Sequence, residues 1–144
     1  MQIRMFQKVA LGIAGTTAMI IGGFILIAPH AFYAGYGMTL GDDPNLLSEL
    51  RAPAANLAAL SAVILAGIFR TSWAPVSAKV AVTVFLAFPA GRIVGLLIDG
   101  MPSASVLGAF AIEIAIGAIC LAAFLPRRTG GVTGSLNPGS APFP

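Results

Sequence analysis

The chain has 144 residues, of which 58% are hydrophobic and only 9% charged, and its mean hydropathy is +0.94. A water-soluble domain carries about 25% charged residues, so this chain lacks the polar surface to live in water and is expected in a membrane. Eight basic residues against five acidic ones require no nucleic-acid partner, because membrane proteins gather Lys and Arg at their cytoplasmic ends.

Four apolar stretches approach the ~20 residues a helix needs to cross the hydrocarbon core. The first covers residues 6–28 and holds no charge after Lys8. Arg4 and Lys8 imitate the n-region of a signal peptide, but an apolar run of ~20 residues exceeds the 7–15 of an h-region. This segment is therefore expected to stay as a span. Residues 29–44 follow, with His30, Phe32, Tyr33 and Tyr36 placed to suit the outer headgroup belt. Asp43-Pro44 reads as an N-cap followed by Pro at the first helical position. It predicts a short interfacial helix through Glu49, with Pro53 marking a kink or a fresh start.

The second span is expected over residues 52–69, and a short loop with Arg70 and the interface anchor Trp73 leads to a third over 76–98. The turn Gly100-Met101-Pro102-Ser103 introduces a fourth span over 104–125. Residues 129–144 carry no charge and are rich in Gly, Pro and Ser, which predicts a flexible tail. The expected organisation is a four-helix transmembrane domain over 1–128 and a cytoplasmic tail over 129–144.

Charge sets the orientation. Arg4 and Lys8, then Arg70 and Lys79, then Arg127 and Arg128 fall on one side with no acid among them. Asp42, Asp43, Glu49 and Asp99 fall on the other, with Arg51 the only nearby base. The positive-inside rule then predicts both ends in the cytoplasm.

In lipid, helices associate where small residues let backbones approach. Rows at i, i+4 spacing run along every span: Ala10, Ala14, Ala18 and Gly22 in the first, Ala54, Ala58, Ala62 and Ala66 in the second. The third offers Ala87, Gly91 and Gly95, and the fourth Ala109, Glu113 and Gly117. A tight bundle is the expectation.

Two ionisable residues lie deep in the apolar runs. Arg92 sits about eight residues, or about 12 Å, before Gly100, and Glu113 about ten residues, or about 15 Å, after Ser103. Both depths are measured from the same turn, so an antiparallel hairpin brings the side chains to one level. An unpaired charge at the bilayer centre costs at least ~2.5–3.5 kcal/mol, which makes pairing the cheapest resolution. Asn56, Glu49, Arg51 and Asp99 are candidates to extend this network. The network either fixes helix register or lines a polar pocket for a ligand, lipid head group or proton. A third arrangement turns Glu113 toward a partner subunit.

Other chemistry finds little footing. A single His30 rules out bis-His haem and His-rich metal sites within one chain, and there is no CxxC, HExxH or phosphate-binding Gly loop. Cys120 lies in an apolar run without a second Cys and reads as a packing residue. No cofactor is expected.

The segment Glu49-Leu50-Arg51-Ala52-Pro53-Ala54-Ala55-Asn56-Leu57, together with Gly91-Arg92, Asp99-Gly100, Pro102 and the following Glu113, resembles a small bacterial four-helix membrane family catalogued as a domain of unknown function. Its members often carry Gly where this chain has Ala52. The resemblance covers roughly residues 6–125, extends distantly to the DoxX-like membrane proteins, and implies a multi-pass protein of the bacterial inner membrane. It implies no activity.

The functional expectation is an accessory or structural membrane subunit, without enzymatic activity, whose tail contacts other membrane subunits in a larger complex. The alternative is a module that binds or transports a quinone-like molecule, a lipid or a proton at Arg92 and Glu113. Membrane lipid is the expected surrounding in either case.

Overall fold

The computed structural model describes residues 4–125, and the tail with Arg127 and Arg128 lies outside the described residues. The architecture is all-α among them: α1 Met5–Ile27, α2 Pro29–Ala34, α3 Pro44–Phe69, a 3-10 turn Thr71–Trp73, α4 Ala74–Ile98 and α5 Ala104–Phe124. Four helices, α1, α3, α4 and α5, are long and apolar enough to cross a membrane. At 1.5 Å per residue the shortest of them, with 21 residues, already reaches about 31 Å.

Local chemistry starts and stops these helices. Asp43 caps α3 by accepting the backbone N–H of Asn45 at 3.0 Å, ahead of Pro44 at the first helical position. Gly100, at φ +96°, lets the chain turn out of α4 where a residue with a Cβ would be strained. The interfacial helix expected through Glu49 is not a separate element. Helix α3 runs unbroken from Pro44, with Pro53 inside it. Pro53 removes one intrahelical donor, and the segment absorbs the loss as membrane helices commonly do.

The bundle is closed at one end and open at the other. The lower end holds the start of α1, the 3-10 turn and the end of α5; the upper end holds α2 and the Gly100 turn. Packing is closest between α1 and α3. Ala10, Ala14, Ala18 and Gly22 all lie on the buried face of α1, as their spacing predicts. A Cβ on Gly22 would meet the Ala54 carbonyl oxygen and the Ala58 nitrogen at 2.8 Å, so this crossing depends on glycine.

Polar groups tie the lower end. Ser77 donates to the Val63 carbonyl at 2.6 Å, Gln7 donates to the Ala123 carbonyl at 3.1 Å, and the buried Cys120 thiol points to the Ala10 carbonyl at 3.7 Å.

The other small-residue rows are used differently. On α3 the buried line is Ala54, Leu57, Ser61, Ile64 and Gly67, a row that drifts away from Ala62 and Ala66. On α4 the buried residues run from Ala74 to Phe85, plus Pro89, whereas Ala87 and Gly91 are exposed. On α5 burial begins only at Glu113. The upper halves of α4 and α5 therefore lack helix-helix burial, and the bundle splays there.

Candidate functional site

Splaying leaves an open-sided cavity of about 1080 Å³ in the upper half. Its floor is formed by Ala18, Leu57, Val84, Phe85, Arg92 and Glu113, and its walls include Ile21, Phe88, Gly91, Gly108 and Ala109. Phe32, Tyr33 and Tyr36 line it from α2 and the turn that follows. Helix α2 packs on α1 and α3 and makes no close backbone contact with α4 or α5, so the upper side is not sealed.

Arg92 and Glu113 meet on the floor in a bidentate pair. Arg92 Nε donates to Glu113 Oε2 and Arg92 Nη2 to Glu113 Oε1, both at 2.8 Å. The side chain of Glu113 is 10% exposed and that of Arg92 29%. This planar fork geometry is the strongest form of the Arg–carboxylate contact. Guanidinium carries five N–H donors, and two are used by Glu113. The other three have no acceptor among the described residues, and no buried side-chain nitrogen or oxygen is left without a partner. Nη1, which has no protein partner, is therefore not fully buried, and Arg92 lines the cavity.

The other expected network members lie apart from the pair. Asn56 is exposed on α3 and Glu49 is exposed near its start. Arg51, also exposed, donates from Nε to the Leu26 carbonyl at 3.2 Å. Asp99 forms the C-cap of α4. No hydrogen bond or ion pair joins any of these four to Arg92 or Glu113 among the described residues. The physical reason is rotation about the helix axis. The cavity-facing line of α3 runs through Leu50, Pro53, Ala54 and Leu57, and Asn56 is turned about 100° from Leu57.

Sequence reasoning assigned the aromatic residues to the headgroup belt and missed their place over the cavity. Phe32 is the hub of a cluster, with ring centroids 5.6 Å from Phe24, 5.3 Å from Tyr33 and 5.2 Å from Tyr36. Neither phenol hydroxyl has a protein partner among the described residues. Burial pushes the Tyr33 phenol above its ordinary value of 10.0, with the Arg92 guanidinium opposing that rise, so Tyr33 remains a neutral hydroxyl within electrostatic reach of Arg92. The i, i+1, i+4 spacing of Phe32, Tyr33 and Tyr36 was the available signal for a helical aromatic patch. His30 stands outside the site, its Nε2 at 3.2 Å from Asp42 Oδ1 on the exposed upper surface.

Four apolar spanning helices around a polar-floored chamber define a small multi-pass membrane protein. A family model described as a domain of unknown function (DUF4345) matches residues 6–124. The chain belongs to that family. Neither a curated protein nor a solved structure matches it.

Proposed function

We propose that this protein binds one amphiphilic small molecule in its upper cavity, with the polar end of that molecule at Arg92 and Glu113. The observation that carries the reading is the coexistence of a satisfied ion pair with unused donors facing a largely apolar chamber. A pair serving only to fix helix register would be enclosed by packing. Here Arg92, with Nη1 unbonded, lines about 1080 Å³ of space, the size range of a small-molecule site with a few convergent polar groups. The charge distribution supports an orientation with both ends in the cytoplasm, which sets the cavity toward the outer face of a bacterial inner membrane.

The accessory-subunit reading rests on the composition of residues 129–144 and stands second. Its test is deletion of those residues, which should reduce co-purification of a partner from native membranes if the tail docks there.

Binding is tested by native mass spectrometry of protein purified in mild detergent. Wild type should carry a lipid-sized adduct at one per chain. Gly91 and Gly108 line the cavity, and a Cβ at either meets nothing within 4 Å. Gly91→Leu and Gly108→Phe should therefore fill the chamber without clashing with backbone and should remove the adduct. An adduct that survives both substitutions would place the bound molecule elsewhere.

A further inference from the structure

The polar groups facing the cavity say what kind of head group it accepts. The positive charge of Arg92 is already met by Glu113 through two 2.8 Å hydrogen bonds, so the floor has no net charge to offer. No other Lys, Arg, Asp or Glu lines the chamber. An anionic head such as a carboxylate or phosphate would have to displace Glu113 from Arg92. That would leave a carboxylate with 10% exposure without its counter-ion, in a medium that solvates charge poorly. A cationic head meets the converse obstacle, because the Glu113 charge is already met by the Arg92 guanidinium.

Unused donor capacity remains at Arg92. Three Arg92 N–H groups lack protein acceptors, and the Tyr33 and Tyr36 hydroxyls line the same chamber. Guanidinium has no acceptor function at all. A molecule that satisfies these groups must bring lone pairs without bringing charge.

We infer that the cavity selects a neutral, carbonyl-headed lipid, its carbonyl oxygen accepting from the free Arg92 donors and its chain lying along the apolar walls. This rests on the proposed binding function and narrows its ligand class. The carbonyl belongs either to a ring ketone, as in a quinone, or to an ester, as in a diacylglycerol. Both present the same acceptor to Arg92.

The experiment uses the full chain in detergent micelles and five probes with short alkyl chains: decyl-benzoquinone, dioctanoylglycerol, decanoate, dioctanoyl phosphatidate and decylammonium. Bound stoichiometry is read by native mass spectrometry and affinity by titration of thermal stability. At least one of the two neutral carbonyl probes should bind one per chain, at least 10-fold tighter than the three charged probes. Which of the two binds tighter separates the ring-ketone source from the ester source. Arg92→Lys keeps a cation opposite Glu113 but has three donors on a point charge and no planar fork. It should stay folded and weaken the preferred neutral probe at least 10-fold while changing the charged probes less than 3-fold. If Arg92→Lys fails to fold, Tyr33→Phe with Tyr36→Phe serves instead, and should weaken that probe at least 3-fold. A charged probe that binds as tightly as the neutral ones, or tighter, overturns the inference and leaves the binding function intact. Failure of all five probes to bind removes both.

Discussion

The Arg92–Glu113 pair makes a quantitative prediction about stability. Arg92→Leu removes both 2.8 Å hydrogen bonds and leaves the Glu113 carboxylate, 10% exposed, without a counter-ion. Breaking a buried pair from one side costs ~3–5 kcal/mol in soluble proteins. The adjoining cavity admits some water, so about 3 kcal/mol is expected. Glu113→Leu should cost less, about 2 kcal/mol, because the longer Arg92 side chain is more exposed and can turn its head toward the cavity. The double substitution removes both charges together and should lie within about 1 kcal/mol of wild type. Thermal unfolding in detergent, followed by far-ultraviolet circular dichroism, reads the series. At roughly 2–4 °C per kcal/mol for a chain of this size, Arg92→Leu should melt roughly 6–12 °C below wild type, and the double variant should recover most of that. Residues in contact show coupling, whereas independent sites add within ~0.5 kcal/mol. Additive losses would refute the pair as a contact within the membrane.

Four further outcomes are expected. Gly22→Ala should lower stability by ~1–3 kcal/mol through overpacking, since its Cβ would meet backbone atoms of α3 at 2.8 Å. Gly23→Ala, with nothing within 4 Å, should be neutral within ~0.5 kcal/mol in the same melting assay. Ser77→Ala leaves the Val63 carbonyl without its 2.6 Å donor and should cost about 1 kcal/mol, a typical value for an interhelical hydrogen bond in a membrane. Tags at Met1 and Pro144 should be shielded from protease added to intact cells while one near Gly41 is cleaved, and a cleavable C-terminal tag would reverse the proposed orientation.

The parts of this fold legible in sequence are those fixed by length along the helix axis. An apolar run of ~20 residues states a span, and Asp43-Pro44 states where α3 begins. The level of Arg92 and Glu113 was legible because both positions count from one short turn, which leaves little freedom in depth. Rotation about the axis was legible for α1, whose small-residue row marks the buried face, but not for α3, α4 and α5. A helix apolar on every side has no polar face to orient it, so the sequence could not tell that Asn56 turns outward or that the exposed Gly91 forms cavity wall. Of the two readings of Pro53, a kink or a fresh start, the unbroken α3 excludes the fresh start, for a related reason. In water a central Pro tends to end a helix, but in lipid the backbone has no alternative donors and acceptors outside the helix.

The distribution of small residues explains why the chamber exists at all. At the lower end Gly67 lies against Ser77, and a Cβ there would approach the Ser77 Oγ at 2.5 Å, so α3 packs on the Ser77 side chain of α4 with no room for a side chain at position 67. On the upper part of α4, Gly91 has the same small profile and no helix against it. Pro89 adds a further constraint, because it cannot donate to the Phe85 carbonyl four residues earlier. That oxygen lies 3.1 Å from where a Gly117 Cβ would be built, so glycine on α5 lets the two helices approach closely at this level. Above this point the walls are largely apolar, with Arg92, Glu113 and the Tyr33 and Tyr36 hydroxyls the main polar groups. Lipid chains alone would fill such a chamber without using the Arg92 donors. The unused N–H groups at its floor are what the proposed polar-headed ligand would satisfy and a lipid chain would not.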